Sequence, residues 1–116
     1  MEKIVQQGIL YDFYGELLTD HQKQIYEGLV NENMSLVEIA DEQGISRQAV
    51  HDLIKRTDKI LVDYENRLGL VAKFDQIKEL ISEIDSRLET LISKQDINND
   101  DITKIRQLCD EIIDLA

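Results

Sequence analysis

One short stretch of the chain, residues 46–60, combines side chains that can contact base edges with side chains that can bind phosphates. Its apolar residues recur at helical spacing and would face a core. The side chains left exposed are Arg47, Gln48, His51, Asp52, Lys55 and Arg56. An arginine can fork onto guanine and a glutamine onto adenine, and both stand in the first helical turn, where base edges are usually touched. His51 could reach a base or a phosphate, whereas Lys55 and Arg56 suit phosphates. The alternative is an ordinary solvated face.

The charge balance restricts nucleic-acid binding to such a local patch. The 116 residues hold 13 Lys and Arg against 24 Asp and Glu, which gives a net charge of −11 at pH 7. That sum argues against generic attraction to a polyanion. Residues 46–60 reverse the balance, because four basic side chains, Lys59 included, stand against two acids. We therefore expect any contact with duplex DNA to lie in this segment.

The remaining reactive residue types favour structural roles. Cys109 is expected to be a buried, inert thiol, and His21 a surface residue. Aromatic residues at helical spacing near the N-terminus are interpreted as core and not as a stacking platform: Tyr11, Phe13, Tyr14 and Tyr26. The chain carries no Gly-rich phosphate loop, no zinc-protease motif and no plausible catalytic triad. We expect no catalysis, no metal site, no cofactor and no small-molecule ligand.

The elements that must hold the exposed patch are predicted to be helices only. Proline is absent and there are five glycines, which are too few turn-forming residues for a β-rich fold. Thr19 with Gln22 and Ser35 with Glu38 predict capping boxes at the starts of two helices. A first helix over residues 3–14 should present an apolar stripe made of Ile4, Val5, Ile9, Leu10 and Phe13. No apolar run approaches the length of a membrane span and no signal-peptide pattern opens the chain, so we expect a cytoplasmic protein without membrane insertion.

Residues 35–57, SLVEIADEQGISRQAVHDLIKRT, have the pattern of a helix-turn-helix. Ala40 is small where the two helices cross, and Gly44 can take the positive φ of the turn. Ile45 fills the corner, Ser46 caps the second helix, and Val50 packs back on the first. A helical corner without a nucleic-acid role is the alternative. The second helix should continue without a break to Leu68 over about six turns.

Residues 17–61 resemble the DNA-binding region 4 of bacterial sigma factors, in which a helix behind a Leu-Thr start also precedes the helix-turn-helix. The chain as a whole resembles the YlxM family of small bacterial proteins, through YDFYGELLTDHQ, SLVEIADEQGISRQAVHDLIKR and YENRLGLVAKF. The resemblance covers most of the chain up to about residue 94. It implies a DNA-binding regulator of transcription and a link to components of the signal recognition particle pathway. It also leaves open a protein-interaction or ribonucleoprotein-associated module in which the helix-turn-helix is only a scaffold.

The C-terminal part should form an antiparallel helical hairpin that pairs two chains. Apolar residues alternate at spacings of four and three, as in a coiled-coil seam: Leu70, Phe74, Ile77, Ile81, Ile84, Leu88 and Leu91. A polar turn over residues 96–101 would precede the last helix. The sequence thus predicts an all-α chain with a helix-turn-helix domain over residues 1–69, winged-helix-like or sigma region 4-like, and a dimerisation hairpin over residues 70–116. We expect a homodimer.

Overall fold

The computed structural model describes residues 2–94 and 99–116, and the regular secondary structure within them is all helical. A 3-10 turn at Gly15–Leu17 follows the first helix. The α-helices are α1 (Lys3–Tyr14), α2 (Asp20–Val30), α3 (Leu36–Gln43), α4 (Arg47–Leu68), α5 (Leu70–Lys94) and α6 (Asn99–Leu115). The all-α prediction is confirmed. The described ranges contain no strand, so they hold no wing of the winged-helix type. None of their helices is long and apolar enough to span a bilayer.

Side-chain caps fix where the helices of the motif begin. The Thr19 hydroxyl accepts a bond from the Gln22 amide at 3.2 Å, and the Gln22 side chain accepts one from the Thr19 amide at 2.9 Å. Ser35 and Glu38 form the same reciprocal pair at the start of α3. The Ser46 hydroxyl accepts a hydrogen bond from the Ala49 amide at 3.0 Å and caps the start of α4. These bonds satisfy amides that the first helical turn leaves without partners, and they confirm the predicted caps.

The turn between α3 and α4 depends on a glycine. Gly44 has φ 66° and ψ 32°, the left-handed conformation that was predicted for it. Beyond it, the Ile45 amide donates to the Ala40 carbonyl at 3.1 Å and closes the end of α3. Ala40 and Val50 are 4% and 0% exposed, and Ile45 packs against the same core. The helix-turn-helix geometry therefore follows from short-range bonds.

α4 is the central helix of the N-terminal part, because it packs against α1, α2 and α3. The core contains Tyr11, Tyr14, Leu18, Ile25, Tyr26, Ile39, Ala40, Val50, Ile54 and Leu61. The predicted aromatic core is present, with Phe13 partly buried against it. The predicted apolar stripe of α1 is wrong at its start, since Ile4 and Val5 are 38% and 46% exposed. α1 instead buries a polar face that begins at Gln7.

Hydrogen bonds compensate the burial of this polar face. The Gln7 amide nitrogen donates to both carboxylate oxygens of Asp58, at 2.9 and 3.1 Å, and the Tyr26 hydroxyl donates to the same carboxylate. The Tyr11 hydroxyl donates to Glu27 at 2.5 Å. Burial, followed by these bonds to carboxylates, raises the pKa of Tyr11 and Tyr26 above the ordinary value. The bonds to Asp58 orient α1 and α2 on α4, which apolar periodicity alone does not predict.

The chain divides into two units, residues 1–71 and 72–116, although the predicted boundary lies after residue 69. The first two residues of α5 fall in the first unit because side chains of that unit accept hydrogen bonds from their backbone amides. Tyr14 accepts a bond from the Leu70 amide at 3.1 Å, and the Glu65 carboxylate accepts one from the Val71 amide at 3.0 Å. Tyr14 also donates to Glu65 at 2.5 Å. Gly69, at φ 63°, lets the backbone turn between α4 and α5.

In the second unit, one row of the predicted seam lies inward and the other outward. Leu91 is buried with Leu108, and Ile77 and Ile84 are half-buried. The alternate row remains exposed: Phe74 at 46%, Ile81 at 52% and Leu88 at 43%. Leu70, the first seam residue, is 41% exposed in the first unit. About half of the predicted seam is therefore buried or half-buried within the second unit, and the other half is exposed.

Two expectations for the C-terminal part need correction. Cys109 is exposed, not buried, because the inward position beside it is taken by Leu108. The predicted polar turn lies outside the described residues at positions 96–98. Its remainder, residues 99–101, forms the first turn of α6, where Asp100 and Asp101 complement the positive end of the helix dipole.

Candidate nucleic-acid interface

The first turn of α4 presents the side chains predicted to contact bases. Arg47 and Gln48 are the first two residues of α4 and are exposed, and half-buried His51 follows one turn later. Together with Leu36 of α3 these three line a shallow depression of about 450 Å³. The helix-turn-helix therefore brings a guanidinium, an amide and an imidazole to one place on its surface.

Asp52, which the sequence predicts on the same exposed face, lies beside two of these side chains. The Gln48 side-chain nitrogen donates to Asp52 Oδ1 at 3.0 Å, and His51 Nδ1 lies 3.7 Å from the same oxygen. The second distance is too long for a hydrogen bond. Asp52 thus orients Gln48 and adds a negative charge to the face. The bond between Gln48 and Asp52 follows from their spacing, since residues four apart are neighbours on a helix.

Lys55 and Arg56 do not share the depression. At about 100° of rotation per residue, Lys55 and Lys59 point within about 20° of Gln48 around the axis of α4, whereas Arg56 points about 80° away. Lys55 and Lys59 line a separate groove of about 440 Å³ along α1, which Arg56 does not line. Of the predicted phosphate contacts, Lys55 therefore continues the face of Gln48 and Arg56 lies beside it.

Four cations between residues 47 and 59 of α4 are available to a ligand. Within residues 2–94 and 99–116, none of Arg47, Lys55, Arg56 and Lys59 forms an ion pair. Lys23, Lys78 and Arg87 by contrast are paired with Glu16, Asp75 and Glu83. In the same ranges no group of three or more His, Cys, Asp or Glu residues is arranged to hold a metal ion.

A four-helix core that carries a capped turn, and a second motif helix with an exposed, basic first part, define a small helix-turn-helix protein. The chain belongs to the UPF0122 family, whose sequence model, described as "Putative helix-turn-helix protein, YlxM / p13 like", matches residues 1–109. This confirms the resemblance to the YlxM family. The family is one of helix-turn-helix proteins and not an enzyme family.

Curated relatives from several bacteria carry the same family name. The UPF0122 protein of Symbiobacterium thermophilum is 43% identical over 89 residues, which cover 77% of this chain and 83% of the relative. That of Clostridium novyi is 42% identical over 102 residues, covering 85% and 89%. That of Bacillus thuringiensis is 35% identical over 112 residues, covering 97% and 98%. The similarity to the last relative extends through the C-terminal hairpin.

Proposed function

We propose that the protein binds duplex DNA through the first half of α4 and acts as a transcriptional regulator. The observation that carries the proposal is the exposed cluster of Arg47, Gln48 and His51 at the start of the second motif helix. A helix entering the major groove by its N-terminal turn would bring these side chains to base edges. Lys55, and Arg56 beside it, would then contact phosphates.

The charge distribution supports this orientation. The net charge of the whole chain is −11, so the phosphates of DNA would repel most of the protein surface. Residues 46–60 are the local exception, because four cations there stand against two acids and none of the four forms an ion pair in the described ranges. Binding should therefore be weak for random sequences and should depend on base contacts from Arg47 and Gln48.

The test is a salt titration of binding to duplexes selected from a random-sequence pool. Arg47→Ala should cost about 1–3 kcal/mol on the selected sequence and relax base choice. Lys55→Ala should weaken all sequences alike and reduce the slope of log K against log salt by about one unit. Arg106→Ala, an exposed arginine of α6, is the matched control and should change neither. Wild-type protein that binds no duplex even at low salt would refute the proposal.

We further propose that two copies pair through the second unit. Ile81 and Leu88 are exposed at successive heptad positions, and a second copy would cover the same row on both chains. Pairing would also present two motif helices to two half-sites. Ile81→Asp should convert a dimer into a monomer in sedimentation at tens of micromolar, roughly the range of weak association. Ile113→Asp, which is exposed outside the seam, is the control. Monomeric wild-type protein would contradict pairing.

A second candidate is an interaction module of the signal recognition particle pathway that keeps the helix-turn-helix as a scaffold. Asp52 favours it, because a carboxylate in the centre of the face repels phosphates and occupies the Gln48 amide. Purified signal recognition particle protein and RNA, each tested separately by calorimetry, distinguish the candidates. Binding to either one, together with no binding to duplex DNA, selects this alternative.

A further inference from the structure

The groove between α1 and α4 contains a cation that lies outside the motif. Lys3 of α1 lines it together with Lys55 and Lys59 of α4, so cations from two helices converge on one concavity of about 440 Å³. In the described part of the chain none of these three lysines is paired with a carboxylate. Sequence reasoning assigned no role to Lys3, because it lies more than fifty residues before Lys55.

The one acid of the groove is engaged by neutral donors. Asp58 also lines it, but its carboxylate accepts both bonds from Gln7 and the bond from Tyr26. These donors stabilise the carboxylate and hold it against the core. The local balance is thus three lysines against one internally bonded acid, in a protein of net charge −11. An anion approaching the groove meets an attractive surface.

The shape of the groove suits lysine side chains that reach outward. Leu10 and Val62 contribute apolar surface to its lining. Lysine stems are hydrocarbon and pack on such surface while the ammonium group stays in water. Unlike an arginine fork, a lysine ammonium binds phosphate as a point charge without strict geometry. The groove therefore fits a row of phosphates better than a single ligand that must be oriented.

The position of the groove along α4 determines which phosphates it would meet. At 1.5 Å per residue, Lys55 and Lys59 lie about 10 and 16 Å beyond Gln48 along the helix and on its face. A major groove is about 12 Å wide, so a helix that inserts its first turn carries residues at those distances past the bases to the flanking strand.

We propose that Lys3, Lys55 and Lys59 form a phosphate-backbone contact for duplex DNA that continues the α4 interface onto α1. The inference rests on the proposed duplex binding and adds α1 to it. Such a contact sets register and affinity without reading sequence. It also gives the start of α1, which adds little apolar area to the core, a role in binding.

The test compares the salt dependence of duplex binding for wild type and for Lys3→Gln combined with Lys59→Gln. Neither residue belongs to the set proposed to contact bases. The double variant should lower the slope of log K against log salt by nearly two units, since each phosphate contact contributes about 0.9. The preference for the selected duplex over random duplex should remain unchanged. Lys59→Arg should keep the wild-type slope, and Lys94→Gln, an exposed lysine of α5, serves as the control.

The outcomes separate the two proposals. Duplex binding by wild type with an unchanged slope in the double variant would overturn the α1 contact and leave the α4 interface standing. No duplex binding by wild type would overturn both. If the double variant reduced the slope of log K against log salt no more per removed lysine than Lys94→Gln does, only the net charge of the protein would matter. This result would also overturn the inference. The urea unfolding midpoint of each variant is measured as well. A midpoint equal to that of wild type shows that a change in binding does not come from a loss of folded protein.

Discussion

Adding one methyl group at two different glycines should change stability in opposite directions. Gly44 has φ 66°, and beyond its two chain neighbours no residue has an atom within 4 Å of where a Cβ would stand. The cost of Gly44→Ala is therefore backbone strain alone, about 1–2 kcal/mol for an L-residue in this conformation. Reduced freedom of the unfolded chain offsets about 0.4–1 kcal/mol of it. We expect a net destabilisation of about 1 kcal/mol.

Gly8 is the matched control, because it lies inside α1 and a Cβ there would also meet open space. Gly8→Ala should stabilise the protein by about 0.5–1 kcal/mol through helix propensity. Urea unfolding followed by far-ultraviolet circular dichroism should separate the two midpoints by about 1 M, given typical denaturant slopes. Gly44→Val should lower the stability more than Gly44→Ala does, since a β-branched residue fits positive φ worst. Equal midpoints for the two alanine variants would refute the argument from backbone strain.

Three further changes probe the polar contacts. Asp52→Ala removes an acid from the α4 face and frees the amide of Gln48, so affinity for all duplexes should rise by up to about 1 kcal/mol at low salt; an unchanged affinity would exclude Asp52 from the interface. Tyr14→Phe leaves the Leu70 amide without its acceptor and should cost about 1–3 kcal/mol; faster hydrogen exchange at that amide checks the cause. The raised pKa of Tyr26 stabilises the fold while the unfolded tyrosine is protonated, so stability should fall as pH rises above about 10. Tyr26→Phe should flatten that alkaline fall in urea midpoints, and an identical pH profile would contradict it.

The parts of the fold that sequence predicts are those encoded by neighbouring residues. The caps at Thr19, Ser35 and Ser46 and the turn at Gly44 involve partners within five residues, and all form as predicted. The unbroken α4 follows from its apolar period and from the absence of proline. Each of these features depends on local geometry that residue type and spacing specify.

The parts that sequence misses depend on distant partners. The bonds from Gln7 and Tyr26 to Asp58 join residues 51 and 32 positions apart, and they turn α1 so that Ile4 and Val5 face outward. The spacing of apolar residues cannot predict this orientation of α1, because it assigns a glutamine such as Gln7 to the surface, whereas Gln7 is buried. Lys3 in the α1–α4 groove was missed for the same reason. The residues proposed to contact bases could be chosen from the sequence because they lie close together at the start of one helix.

The exposure of Cys109 gives the protein a natural position for attaching a reporter. The chain holds one cysteine, so a thiol-reactive fluorophore attaches at a defined site without any engineered substitution. The site lies on α6, outside the unit that contains the helix-turn-helix, so a dye there leaves the core of that unit intact. Energy transfer between donor-labelled and acceptor-labelled chains would then test the proposed pairing of two copies directly. The same accessibility requires a reductant during purification, because two exposed thiols can oxidise in air to a disulfide that links two chains whether or not they pair through the second unit.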